Sequence, residues 1–557
     1  MWGLSSHIYR RSERGTDGWR RADSDPGGLR ISGMWSSARA GRRKAAIRAS
    51  VWLVLAIAYF GAVLLHQPGV YDEGLIVCGA ERVAHGQVPY RDFYTGYPPA
   101  QFYTIAAVFR AFGTTLLAER VWDTLWRMAI VGLVCVLVGR PAGRRPHPLP
   151  LICVGIFTGA ADFHLYPMIS GTLFGVGALW CATRYLYGHG IRWLWLSGLV
   201  AGAGVLYRHD LLFCVCAAVT IAVSYQAIAE RKGGWLRAPA VFLAGVLLIL
   251  APLVLAVWSA VPHDVLRQAF FEFPMTNAAA RRLPLPVPSI PALGDFYLPL
   301  AIVVVSAASL RWTSAAQRPV MLLWLLSGGL TLGLATQRLD TVHAYPAILF
   351  SLVLLSWHLA EPESRNQNIW SSVWRAAVLC VVLLCYGIVP LVLWRSEVAD
   401  VMRLPPSEIA RAGPVRLEPD QQEAIQYIQR HLPAGKPLYV GTATHRRAYF
   451  NDALFYFLAD RPQVTRFDMF LPGVTNVAGG QSAIARDIEE KRVEYVVLFS
   501  APLSHEPNGS SVDSGITLLD DAINKDYTEV AHFGRYAICR RRNSQSESPA
   551  LAGRTPR

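Results

Sequence analysis

A succession of apolar runs between residues 49 and 394 constrains this chain more than anything else in it. They lie at 49–66, 120–140, 149–166, 169–187, 191–207, 211–229, 237–258, 296–310, 319–336, 343–360 and 371–394. About 20 apolar residues cover the roughly 30 Å of a bilayer core, so the runs predict about eleven transmembrane helices. The composition agrees. Apolar residues make up 53% and charged ones 17%, against about 25% charge in soluble chains. Seventeen Trp, 22 Tyr and 22 Phe are enough for aromatic belts at both interfaces.

The net charge of +14 would suggest nucleic acid on a soluble domain, but it is not spread over one. Residues 1–50 hold 11 basic and four acidic side chains, which leaves +7 in the tail. Much of the rest falls in short loops, where Arg and Lys set orientation. No nucleic-acid partner is expected. Arg42, Arg43, Lys44 and Arg48 abut the first run and place that flank in the cytoplasm. Arg140, Arg144 and Arg145 mark a second cytoplasmic loop, so only one of the stretches 98–113 and 120–140 can cross. The longer, 120–140, is the better span, and 98–113, interrupted by Arg110, reads as an interfacial helix. Cytoplasmic loops follow at 188–192, 230–237, 311–318 and 361–370.

Residues 1–48 read as a disordered basic cytoplasmic tail, 49–394 as the membrane domain and 541–557 as a disordered polar tail. Between them, 395–540 regain charge and show soluble α/β punctuation. Helices are expected at 418–432 and 481–492, with strands at 436–441, 493–500 and 534–540. Seven of the nine cysteines lie inside apolar runs, and no metal-ligand spacing of Cys and His occurs. Five Lys against 48 Arg point to a GC-rich bacterial genome, hence an inner-membrane location, and eleven crossings from a cytoplasmic N-terminus put the C-terminal domain outside.

Ionisable groups near a membrane are costly and mark candidate sites. The topology gathers three clusters on the outer face: Asp72 and Glu73 in GVYDEG, Arg208, His209 and Asp210 in LYRHDLL, and Gln337, Arg338, Asp340 and His343 in TQRLDTVH. Asp162 and His164 in ADFHLYP are a fourth. Each has a plainer reading: a helix cap, a local ion pair in a turn, an interfacial anchor, and a buried pair joining helices. Convergence on one face favours a site.

The first outer loop, VYDEGLIVCGAERVAHGQVPYRDFYTGYPPAQFYTIAAVFRAFG, resembles that of the GT-C-fold lipid-linked-sugar glycosyltransferases. That group includes protein O-mannosyltransferases and aminoarabinose-transferase-like enzymes of bacteria. The similarity rests on Asp72, Glu73, Gly86, Gln87, Pro89, Tyr90, Pro98 and Pro99, and more loosely on the two short charged loops. It implies inverting transfer of a sugar from a polyprenyl-phosphate donor to a hydroxyl of a glycan, lipid or protein acceptor. It further implies Asp72 as general base, with Glu73 orienting it or sharing a divalent metal ion. Arg208 and Arg338 would hold the donor phosphate, since guanidinium binds phosphate in a bidentate way. Tyr90, Asp92, Tyr97, His209, Asp210, Asp340 and His343 would bind or orient the sugar. The alternative is a transporter or flippase, against which the absence of a visible internal repeat counts.

Overall fold

The computed structural model describes residues 50, 54–138, 147–230, 235–360, 369–447, 450–468, 470–502 and 504–542. The chain divides into two compact units, Met1–Ala58 and Tyr59–Arg557, and the second holds every element named below. The expected N-terminal tail 1–48, the basic loop at 140–145 and residues 543–557 lie outside the described residues, as do 231–234 and 361–368 of the loops 230–237 and 361–370.

Two short helices, α1 (Asp72–Ala84) and α2 (Ala100–Phe112), precede α3 (Leu116–Val138), α4 (Pro148–Ala160), α5 (Pro167–Leu186), α6 (Ile191–Val205), α7 (His209–Ala229) and α8 (Arg237–Ala260). Helix α9 starts at His263–Arg267 and passes through a π turn into Phe273–Arg281. Then come α10 (Ile290–Trp312), α11 (Arg318–Ala335), α12 (Thr341–His358) and α13 (Ser372–Arg403). Six of these, α7, α8 and α10 to α13, are long and apolar enough to cross a membrane, and α4 and α6 are shorter apolar helices. At 13 residues α2 reaches only about 20 Å, too short to cross. Arg110 Nη2 donates to the Ala84 carbonyl at 3.0 Å and ties α2 to α1, while Tyr103 and Phe112 stay exposed.

Small residues set the spacing of the bundle. A Cβ on Gly198 of α6 would lie 2.2 Å from the Phe242 carbonyl oxygen of α8, and Gly245 meets the same helix from the other side. Such close backbone approach replaces the hydrophobic drive that lipid removes from helix association. The run expected at 149–166 is helical only to Ala160. Residues 161–166 are irregular until Pro167, whose ring fixes φ for the first turn of α5.

After α13 the chain builds α14 (Pro419–His431), β1 (Tyr439–Thr442), α15 (Leu454–Ala459), α16 (Ala478–Glu490), β2 (Tyr495–Phe499), α17 (Leu518–Asp526), β3 (Tyr527–Phe533) and β4 (Tyr536–Arg541). The sheet runs β1-β2-β4-β3; β1 and β2 are parallel, the other pairs antiparallel. Strand β3 and helices α15 and α17 were not foreseen. Strand β3 has three exposed residues in a row after a buried Tyr527 and so lacks a clean two-residue period, and α15 is wholly buried, so its six residues carry no helical period. This region is not closed off as its composition suggests. One core joins Ile76, Val77 and Phe102 of α1 and α2 to Ile425, Ile428 and Phe455 of the C-terminal region.

Candidate active site

Helix α1 is held by a backbone junction. Leu454 N donates to the Val70 carbonyl at 3.0 Å, and a Cβ on Gly74 would strike Leu454 N at 2.3 Å, so only glycine admits α15 there. That junction fixes the first turn of α1, whose positive end suits the two acids on it. Consecutive helix residues point about 100° apart. Asp72 therefore turns one way and accepts from Tyr97 Oη at 2.9 Å. Glu73 turns into the bundle, 1% exposed, and takes Arg120 Nε and Nη2 at 2.8 and 3.0 Å. Its Oε2 also accepts from Gly69 N at 2.7 Å.

Beside Tyr97 opens a cavity of about 260 Å³. The first outer loop supplies Tyr90 and Tyr97; the α6–α7 connection supplies Arg208, His209 and Asp210; the α11–α12 connection supplies Gln337 and Arg338, with His343 from α12. Three loops far apart in sequence thus meet at one space. Arg208 Nε donates to Asp210 Oδ1 at 2.8 Å, and its guanidinium lies 5.5 Å from the Tyr166 ring centre. Arg338 pairs with Asp340 at 3.2 Å and reaches Glu506 of the C-terminal region through two bonds of 2.9 and 2.6 Å. Asp340 caps α12, accepting from His343 N at 2.9 Å and meeting His343 Nδ1 at 2.6 Å.

Electrostatics distinguish these groups. Burial pushes the Asp72 carboxyl above the ordinary carboxylate range, and the Tyr97 bond with the positive fields of Arg281 and His343 offsets this only in part. Glu506 moves the other way: the Arg338 bonds hold its carboxyl down at about 2.

Some expected roles do not fit this geometry. Glu73 is fully engaged by Arg120 behind the cavity, so it neither orients Asp72 nor shares a metal with it. Among the described residues no group of three or more His, Cys, Asp and Glu side chains is placed to hold a metal ion. Asp92 is absent from the cavity wall. Its carboxylate closes the turn before α2, accepting from Val88 N at 2.7 Å and from Arg91. Tyr90 does reach the wall, held at φ 69° with its hydroxyl on the Tyr97 carbonyl. Asp162 and His164 are not a pair: Asp162 is exposed, and buried His164 lies 3.7 Å from Asp123.

Three contributors went unread. Tyr166 sits in ADFHLYP, where the acids and histidine drew attention instead. Asn277 and Arg281 come from α9, part of a long segment between α8 and α10 that offers no charged short loop to read. Their four-residue spacing puts both on one face of that helix, which is the signal a helical reading would have used.

The likeness to known proteins is one of fold. The crystal structure of ArnT from Cupriavidus metallidurans bound to undecaprenyl phosphate matches with a TM-score of 0.57 at 14% identity, over 89% of this chain and 99% of that one. ArnT in the apo state matches at 0.55 and 13%, over 88% and 98%. The apo oligosaccharyltransferase of Archaeoglobus fulgidus is more distant, at 0.46 and 11% over 80% and 69%. No protein-family model and no curated protein matches the sequence. The chain has the fold of ArnT, with six helices among the described residues long and apolar enough to cross a membrane.

Proposed function

We propose that this protein is a glycosyltransferase that passes a sugar from a polyprenyl-phosphate donor to an acceptor hydroxyl on the extracytoplasmic face, with inversion. The observation that carries the reading is a raised carboxyl, Asp72, set through Tyr97 at the edge of a cavity whose wall bears Arg208, Arg281 and Arg338. The same fold in ArnT, solved with undecaprenyl phosphate, supports a lipid-phosphate ligand for that cavity.

The chemistry follows from charge. The acceptor oxygen attacks the anomeric carbon, and its proton passes to Asp72, whose raised affinity makes it a stronger base than a solvated carboxylate. The bond from that carbon to the phosphate oxygen breaks, and the electron pair leaves with polyprenyl phosphate as a dianion. Guanidinium groups of Arg208 and Arg338, with Arg281 beside them, stabilise that developing charge. Attack of the acceptor oxygen on the face of the anomeric carbon opposite the leaving phosphate is one in-line displacement, hence inversion. His209, Asp210, Asp340 and His343 hold the arginines or meet sugar hydroxyls, and Tyr90 and Tyr97 line the pocket. Residues 49–394 form the catalytic membrane domain with eleven crossings and a cytoplasmic N-terminus, and 395–540 lie outside.

Mass spectrometry of lipids from a deletion strain tests this. A polyprenyl-phosphate sugar should accumulate, and the wild-type gene but not Asp72→Asn should clear it. An unchanged lipid-linked sugar pool would sink the reading.

A further inference from the structure

A second cavity, about 400 Å³, borders the first on the side of the C-terminal region. Arg281 and Leu471 line both spaces. Arg338 belongs to the wall of the first and Glu506 to that of the second, so their ion pair forms part of the partition.

The lining is distinctive. Tyr71, Phe450, Phe470 and Phe499 put four aromatic rings around the space, with Tyr71 and Phe450 at 4.4 Å between centres. Tyr71 is 7% exposed, and its hydroxyl has no hydrogen-bond partner among the described residues. A buried hydroxyl left unmade costs about 1–3 kcal/mol, which a polar ligand would recover. That hydroxyl lies in the fields of Arg281 and Asp72, next to the proposed base. The Arg281 guanidinium, 5.7 Å from the Phe450 ring centre, makes no ion pair among the described residues.

Aromatic faces with a few hydroxyl and cationic groups suit a ligand that is apolar on its flat faces and polar at its rim. A pyranose ring has that form: axial C–H bonds meet the negative face of an aromatic ring, and equatorial hydroxyls point outward. A peptide acceptor held by strand addition would need an open sheet edge. Only Phe499 reaches this wall from a strand, and β2 is an inner strand.

We propose that this second cavity is the acceptor subsite and that it takes a carbohydrate ring, stacked on Phe450 and Phe470 with its hydroxyl rim toward Tyr71 and Arg281. The inference rests on the glycosyltransferase reading for the word acceptor. The carbohydrate site itself stands on the lining.

The test uses the full chain in lipid nanodiscs and two separate readouts. Saturation-transfer NMR measures binding of the methyl glycosides of glucose, galactose, mannose and N-acetylglucosamine. Radiolabelled undecaprenyl phosphate measures the first cavity. At least one glycoside should bind, and Phe470→Leu and Tyr71→Phe should each weaken it about tenfold while the lipid phosphate still binds, which also reports correct folding. Arg208→Ala should do the reverse. Binding of none of the four glycosides would overturn the proposal. So would glycoside binding that survives Phe470→Leu and Tyr71→Phe but is lost with Arg208→Ala, or displacement of a bound glycoside by a Ser/Thr-rich peptide. Failure of undecaprenyl phosphate to bind the wild type, with glycosides still bound, would remove the transferase reading and leave a carbohydrate site.

Discussion

Asp72 and Glu73 are neighbours in sequence and opposites in surroundings. Glu73 belongs to a layer of charge sealed inside the bundle, where Arg120 and Arg127 spend their bonds on buried carboxylates and carbonyls while Glu119, His66 and His164 make no side-chain hydrogen bond among the described residues. Arg120 gives it two bonds and donates again to the His66 carbonyl at 2.6 Å. One step along α3, Arg127 pairs with Asp123 at 2.7 Å and donates to the carbonyls of Thr158, Ala161 and Phe163. Those bonds cap the end of α4, whose last carbonyls have no helical partner. Asp72 belongs to a second layer, along the cavity, which is satisfied only in part. It holds the one side-chain bond from Tyr97, and Arg281 beside it makes no ion pair among the described residues. Two adjacent carboxylates thus differ: Glu73 spends both oxygens inside the bundle, and Asp72 makes a single side-chain bond beside the cavity.

The comparison can be broken by experiment. The largest expected effect is on Asp72. Asp72→Asn should reduce transfer by about 10²–10⁴-fold, the worth of a general base. It should not weaken the fold. A raised carboxyl pKa means the folded protein holds that proton more tightly than the unfolded chain, so ionisation at neutral pH costs stability, and Asn removes the cost. A lower unfolding temperature for this variant would move Asp72 into the scaffold layer. The same sign places the acid limb of kcat/KM in the wild type above the usual carboxylate range, and a pH–rate profile checks it.

Next comes the scaffold itself. Arg120→Met leaves Glu73 buried and alone, which should cost about 3–5 kcal/mol of stability. The double variant Arg120→Met, Glu73→Leu should recover most of it, as read by unfolding in lipid. A neutral single variant would show that Glu73 is not sealed.

The cavity arginines should act on rate and not on stability. Arg208→Ala and Arg338→Ala should each lower kcat by about 10²–10³-fold, on the order of one lost charge-stabilising donor. Turnover of a radiolabelled polyprenyl-phosphate sugar measures it, and near-wild-type rates would take the phosphate away from them.

The smallest effect concerns Glu506. Its carboxyl sits at about 2, below the ordinary glutamate value near 4.3, so its bond to Arg338 is fully present above the unfolded value and is lost only as pH falls through about 2. The C-terminal contact is thus insensitive to neutral pH changes. Glu506→Gln frees Arg338 of a competing carboxylate and should lower the donor KM a few-fold with kcat unchanged. A raised donor KM would instead make Glu506 a support for Arg338.

Much of the site was legible because charge beside long apolar runs is rare and expensive. The RHD and QRLDTVH loops stood out for that reason, and they do meet at the cavity with Tyr90 and Tyr97. Which of two adjacent acids bonds to Tyr97 of the cavity wall was not legible, since it depends on how α1 is rotated, and Gly74 against Leu454 sets that rotation. Asp92 was misread for a similar reason: in PYRDF it follows the motif residues, but its carboxylate spends its bonds on its own turn. Arg281 and Glu506 were missed because each comes from a long segment whose fold back to the bundle leaves no local trace.

The sequence alone determined the apolar runs long enough to cross a bilayer and the short charged loops between them, because apolar length and local charge are properties of neighbouring residues. Tertiary structure alone decided which charges are spent on each other and which remain for a ligand. That depends on helix rotation and on contacts across hundreds of residues, such as Arg338 with Glu506 and Leu454 with Val70, where burial and hydrogen bonding rather than residue type set what each group can do.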